Sequence, residues 1–248
     1  MKVKDILEYL NGLSPFEMCE KWDNCGFLIG DKDEKIKGVL LSVDVTEHVL
    51  ESAINDGQNL IIAHHPIIFG SINSVLSNTI IYKAIKANVS VIGFHTCYDN
   101  YKRGVSYILA ETLELTNITQ NAENLSLFIG EKHFENAAAL AKEVNKSLNT
   151  NALFIDTKYP INKVAVCGGS GGDFIDAALE TGADALITGE CKYHELLDAY
   201  EKNFTVITAG HFETEFPAMA NLSSLLSAKF PKIDIKVNSQ KPPFKRLK

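Results

Sequence analysis

Six short apolar runs dominate this chain, and each leads, directly or after a single alanine, into a histidine, a glycine or an acid. Val39-Leu40-Leu41-Ser42-Val43, Leu60-Ile61-Ile62-Ala63 and 89–94 form one series; 164–167, 185–188 and 204–208 form another. Aliphatic, β-branched runs without polar alternation read as strands buried on both faces. Segments with helical spacing lie between them. In 44–56, Thr46 is a candidate cap and Val49, Leu50, Ala53 and Ile54 form the apolar side. Further helices are expected at 79–87, 174–181 and 194–200, with Gly57 and Gly182 as stop signals. Such alternation of strand and helix predicts an α/β fold with mostly parallel sheets.

The two series obey the same grammar. Residues 49–57 match 174–182, and the strand after each ends in His64-His65 in one half and Gly189-Glu190 in the other. The next strand leads to His95-x-x-x-Asp99 in one half and His211-x-x-x-Glu215 in the other. We read two similar α/β halves, 1–120 and 121–248, related by internal pseudo-symmetry and packed as one body. An amphipathic helix at 4–13 opens the first half, and an Ala-rich helix at 135–147 lies between the two series.

Composition narrows the function. The 248 residues carry 24 Lys+Arg against 31 Asp+Glu, a net charge of −7, which argues against a nucleic-acid binder with a basic face. The short basic tail (Lys241, Lys245, Arg246, Lys248) reads as a solvated terminus. No run reaches the length of a membrane span, and the first residues lack the apolar core of a signal peptide, so a cytoplasmic protein is expected. Five cysteines at scattered spacings form no CxxC pair and read as reduced thiols.

The chemistry sits at the strand ends, where ligand sites of α/β sheets lie. His64 and His65 follow one strand directly, and neighbouring side chains there point in different directions, so the pair can address two metal ions. Asp99 follows another strand, completing a mixed imidazole–carboxylate shell of the kind that accepts zinc, iron, manganese or nickel. His211 and Glu215 offer the same donors from the second half, and a helix there would put both on one face. His95, in the loop of Asp99, is the candidate proton carrier. Glu190 and His194 are candidate acid–base or ligand-orienting groups, or else structural polar residues. His48 and His133 are placed in helices as surface residues. The glycine segment Gly168-Gly169-Ser170-Gly171-Gly172 either presents N–H groups to a phosphate or makes a tight strand–helix turn capped by Asp173, the reading we favour. Cys97 lacks an activating pattern and reads as a packing residue.

Together, Trp22-Asp23-Asn24-Cys25-Gly26-Phe27, Ile61-Ile62-Ala63-His64-His65-Pro66, Gly93-Phe94-His95-Thr96-Cys97-Tyr98-Asp99, the stretch 183–190 and Gly210-His211-Phe212-Glu213-Thr214-Glu215 resemble the GTP cyclohydrolase 1 type 2 homolog family, the Nif-three-like dinuclear-metal proteins. The resemblance spans most of the chain. It implies metal ligation by His64, His65, Asp99, His211 and Glu215, two divalent ions, and a ring-shaped homohexamer built as a trimer of dimers. It also implies GTP ring opening or hydrolysis of a related nucleotide-like small molecule. Longer members carry an inserted domain for which this chain has no room. The competing reading is a non-catalytic metal-binding regulatory or interaction protein.

Overall fold

A computed structural model describes residues 1–244. In chain order the elements are α1 (Val3–Leu13), β1 (Gly26–Ile29), β2 (Val39–Ser42), α2 (Glu47–Asn55), β3 (Leu60–Ala63), α3 (Ile80–Lys86), β4 (Ser90–Gly93), α4 (Thr96–Asp99) and α5 (Val105–Thr112). There follow β5 (Thr116–Gln120), β6 (Phe128–Phe134), α6 (Ala137–Leu148), β7 (Leu153–Phe154), β8 (Ile161–Ser170), α7 (Ile175–Glu180), β9 (Ala185–Glu190), α8 (Tyr193–Glu201), β10 (Thr205–Thr208), α9 (His211–Lys229) and β11 (Ile235–Val237). Two compact units result, one of Met1–Asn100 with Met219–Gln240, the other of Tyr101–Ala218 with the segment from Lys241. The division falls inside α9 and at Asn100, whereas a boundary at residue 120 would separate β5 from β6, with which it pairs.

The sheet of the first unit has the order β1-β4-β3-β2-β11. Strands β2, β3 and β4 run parallel and in register, with Ser42, Ala63 and Gly93 side by side at their carboxyl ends. Every residue of these three strands is buried, which is why the sequence shows them as unbroken apolar runs. Leu40, Ile61 and Val91 pack against Val49, Leu50, Ala53 of α2 and Ala84 of α3. The Thr46 hydroxyl accepts a hydrogen bond from Val49 N–H at 3.2 Å and so fixes where α2 begins. The helix therefore starts at Glu47 rather than at residue 44, and Asp44 is left at the strand end.

The sheet of the second unit has the order β5-β6-β8-β9-β10-β7. Its centre repeats the first: β8, β9 and β10 are parallel neighbours, joined through α7 and α8, with Cys167, Thr188 and Thr208 in one row. The preceding strand also repeats, since β1 pairs antiparallel with β4 and β7 pairs antiparallel with β10. The chain thus builds the same three-stranded parallel core twice. The antiparallel strands β5 and β6 extend the second sheet. One of its faces packs on α5 and α6 through Leu109, Leu113, Leu140 and Val144; the other packs on α7 and α8 through Ile175, Ala178 and Ala199.

Three local expectations need correction. His133 lies on β6, not on a helix, although it is exposed as expected. The glycine segment is no loop up to Ser170: β8 continues through Gly168 and Gly169 with an irregularity in its pairing to β9. Asp173 is not a cap but lies within a short 3-10 turn, Gly172–Phe174, that leads into α7. All five cysteines are unbridged. Among the described residues no helix is long and apolar enough to cross a membrane. Of the basic tail, Lys245, Arg246 and Lys248 lie outside the described residues.

Ile187 is fully buried at the centre of the second sheet. Ile187→Ala is expected to lower the unfolding free energy by about 2–5 kcal/mol in urea denaturation. Leu153→Ala, on the exposed two-residue edge strand β7, is expected to stay within about 0.5 kcal/mol.

Candidate metal centre

In the first unit the row Ser42–Ala63–Gly93 sets the geometry. Two residues beyond each row member stand Asp44, His65 and His95. The sheet ladder continues past the strands, with His64 N–H donating to the Ser42 carbonyl, His65 N–H to Val43 and Phe94 N–H to Ala63. Backbone pairing therefore holds the histidines where the strands end. The three imidazoles of His64, His65 and His95 stack edge to face or tilted, with ring centroids 5.0–5.2 Å apart. One ring nitrogen of each lies within 4.8 Å of the others. Asp99 joins them because α4 is one helical turn started at His95, and its Oδ1 lies 3.6 Å from His64 Nε2.

Each ring is oriented through Nδ1. That atom faces the Phe94 carbonyl at 3.2 Å in His64, Asp44 Oδ1 at 2.8 Å in His65 and Asp23 Oδ1 at 2.9 Å in His95. A carboxylate or carbonyl on one imidazole nitrogen fixes the tautomer and directs the opposite nitrogen, Nε2, to ligation. Asp23 is the hub of its loop. Its second oxygen accepts from the Thr96 backbone N–H, the Thr96 hydroxyl and the Cys25 thiol. Burial works against its charge, but the hydrogen bonds from His95 and Thr96 outweigh that cost and hold the carboxyl well below the usual range.

The second unit builds a smaller cluster at its own strand ends. Glu190 closes β9 and His211 opens α9. Glu190 Oε1 holds His211 Nδ1 at 3.0 Å, and His211 Nε2 faces Glu215 Oε1 at 3.0 Å one turn along the helix. Glu215 is 3% exposed. The glycines explain how helix and strands come so close. A Cβ on Gly169, whose φ is +68°, would stand 2.4 Å from Glu215 Oε1 and 3.2 Å from His211 Nε2. A Cβ on Gly189 would meet the Gly169 carbonyl at 2.4 Å and the His211 Cα at 2.7 Å. The N–H groups of Gly168 and Gly169 are engaged by the Ser106 and Thr214 hydroxyls at 3.0 Å, so they are not turned to a phosphate.

The structure thus gathers His64, His65, His95 and Asp99 in one unit and Glu190, His211 and Glu215 in the other. His194 stands apart on the exposed side of α8, and His48 is exposed on α2. Asp23, Asp44, Gly169 and Gly189 were not read as site residues from sequence. For Asp44 a signal existed: it follows a buried strand at the same edge as the histidines. No spacing links Asp23 to His95, since the two are 72 residues apart. The imidazole and carboxylate donors, with each Nδ1 tied back, suit divalent ions that accept mixed nitrogen and oxygen shells.

The chain matches the Duf34/NIF3 (NGG1p interacting factor 3) family over residues 1–243. A Campylobacter jejuni relative named GTP cyclohydrolase 1 type 2 homolog is 36% identical over 221 residues, spanning 87% of this chain and 88% of the relative. A Clostridium acetobutylicum protein of the same name is 30% identical over 249 residues, spanning 95% and 93%. The crystal structure of Staphylococcus aureus hypothetical protein SA1388 superposes with a TM-score of 0.93 at 28% identity, covering 100% of this chain and 99% of that one.

Gly169→Ala is expected to cost about 1–3 kcal/mol, because it adds a side chain in a left-handed conformation against Glu215. Gly12→Ala, in α1 with nothing within 4 Å, is expected to be neutral or to stabilise by up to about 1 kcal/mol. Paired urea denaturation of the two variants checks both.

Proposed function

The chain belongs to the Duf34/NIF3 family, and on that premise we propose a dinuclear metal-dependent hydrolase that acts on a nucleotide-like small molecule, GTP ring opening being the specific version. The observation that carries this reading is the shared orientation of His64, His65, His95 and His211, each with Nδ1 held by a carboxylate or a carbonyl. Structural histidines need no such common arrangement; ligands do. The proposed ligands are His64, His65 and Asp99 with His211 and Glu215. The ions, when bound, supply Lewis acidity and an activated water.

The chain's own groups divide the remaining work. Asp44 and Glu190 orient His65 and His211 through Nδ1. His95, 9% exposed and fixed by Asp23 through Nδ1, is the proposed proton carrier at Nε2. Trp22 and Phe69 are exposed and stand edge-on to the His95 ring, with centroids 5.9 and 5.7 Å away. Their faces offer a planar heterocycle a stacking surface. The homohexamer implied by the family is proposed for this chain too, with mass in solution as its test.

Metal analysis of the purified protein is expected to show two divalent ions per chain that depend on these imidazoles and carboxylates, removed by chelation. Metal-loaded protein should consume GTP or a related nucleotide, and Glu215→Gln should abolish both metal retention and turnover. Glu190→Gln is expected to lower metal affinity or activity by about 10–100-fold, as loss of a ligand-orienting group does. Full metal occupancy with no turnover of any nucleotide or phosphoester would overturn the hydrolase reading in favour of a non-catalytic metal-binding protein.

A further inference from the structure

Three of the five cysteines lie together in the first unit, around Asp23, whose other oxygen holds His95. Cys19 follows a short 3-10 turn at Phe16–Met18, Cys25 immediately precedes β1, and Cys97 lies in α4. Ligand atoms of Cys19, Asp23 and Cys25 all lie within 4.8 Å of one another. The Cys25 sulfur is 3.1 Å from Asp23 Oδ2. Cys97 is fully buried behind them. Its thiol forms a hydrogen bond to Cys25 and lowers the Cys25 thiol below its ordinary range, against the opposing effect of burial.

We propose that Cys19, Cys25 and Asp23 form a second metal site, for a single thiophilic divalent cation of the zinc and cadmium class. With metal–sulfur bonds of about 2.3 Å and metal–oxygen bonds of about 2.0–2.2 Å, neighbouring ligands of a tetrahedral ion are separated by less than 4 Å. The three donors are therefore near the required spacing before any ion arrives. Cys19 and Cys25 are only partly buried, so an ion has access to their sulfurs, whereas the Asp23 carboxylate beside them is shielded from solvent. Two sulfurs make this centre softer than the nitrogen and oxygen donors of the His64 cluster, and softness decides which ion each site takes. Binding converts both thiols to thiolates and releases two protons, while the Asp23 carboxylate binds without proton loss. Because Asp23 Oδ1 holds His95, the site also touches the group that orients the proposed proton carrier.

The inference does not depend on hydrolase activity. Cadmium ion is titrated into reduced, chelator-treated full-length protein while the ultraviolet cadmium–thiolate absorption is followed. The wild type and the Cys191→Ser and His64→Ala variants are expected to develop the band, and Cys19→Ser and Cys25→Ser to lose it. Retention in His64→Ala separates this site from the imidazole–carboxylate centre. As a second measurement on the wild type alone, alkylation is mapped by mass spectrometry with and without zinc ion. Zinc should protect Cys19 and Cys25 while Cys191 is labelled as before. Absence of the band in folded wild-type protein, its survival in Cys19→Ser with Cys25→Ser, or equal labelling with and without zinc would overturn the site.

Discussion

Parallel pairing in register is the constraint on which the rest depends. When three strands run side by side in one direction, their carboxyl ends stop together and everything that follows them is delivered to one edge. In the first unit this puts Asp44, His65 and His95 two residues past a common row, with His64 and Asp99 beside them. In the second unit the same arrangement of β8, β9 and β10 delivers Glu190 and His211. A one-residue slip of any strand would turn its end residue to the other face of the sheet.

The apolar cores protect that register. Strands buried on both faces lose heavily if they slip, because a buried Leu or Ile side chain is worth about 1.5–3 kcal/mol relative to exposure. The polar edge is then held by a second layer of contacts rather than by packing. Asp23, Asp44, the Phe94 carbonyl and Glu190 each grip one imidazole, and Thr96 and Thr214 tie loop backbone to the neighbouring segments. Rings fixed at Nδ1 keep their ligand atoms oriented at little further entropic cost when an ion binds.

Some of this was legible in the sequence. The strand runs, the helices between them and the doubling of the pattern follow from local periodicity, which the parallel cores preserve. The pairing of His211 with Glu215 also follows, since a spacing of four on a helix guarantees contact. Other features were hidden. The helical pattern over 44–56 includes Asp44 although Thr46 is the candidate cap, and it is the Thr46 hydroxyl on Val49 N–H that leaves Asp44 outside α2. The glycines of 168–172 look like a turn, yet two of them lie within a strand, where Val105 leaves no room for a Cβ at Gly168 and Glu215 and His211 leave none at Gly169.

What the amino-acid order determined by itself was the α/β class, the repeated unit and the histidines and acids that follow the strands, because each depends on neighbours within a few residues. Tertiary structure alone decided how those side chains are held. It chose Asp23 to orient His95 and gathered Cys19, Cys25 and Cys97 into one cluster. Such contacts join residues dozens of positions apart, and no local periodicity encodes a meeting that arises only when separate strand ends and loops are folded onto one edge.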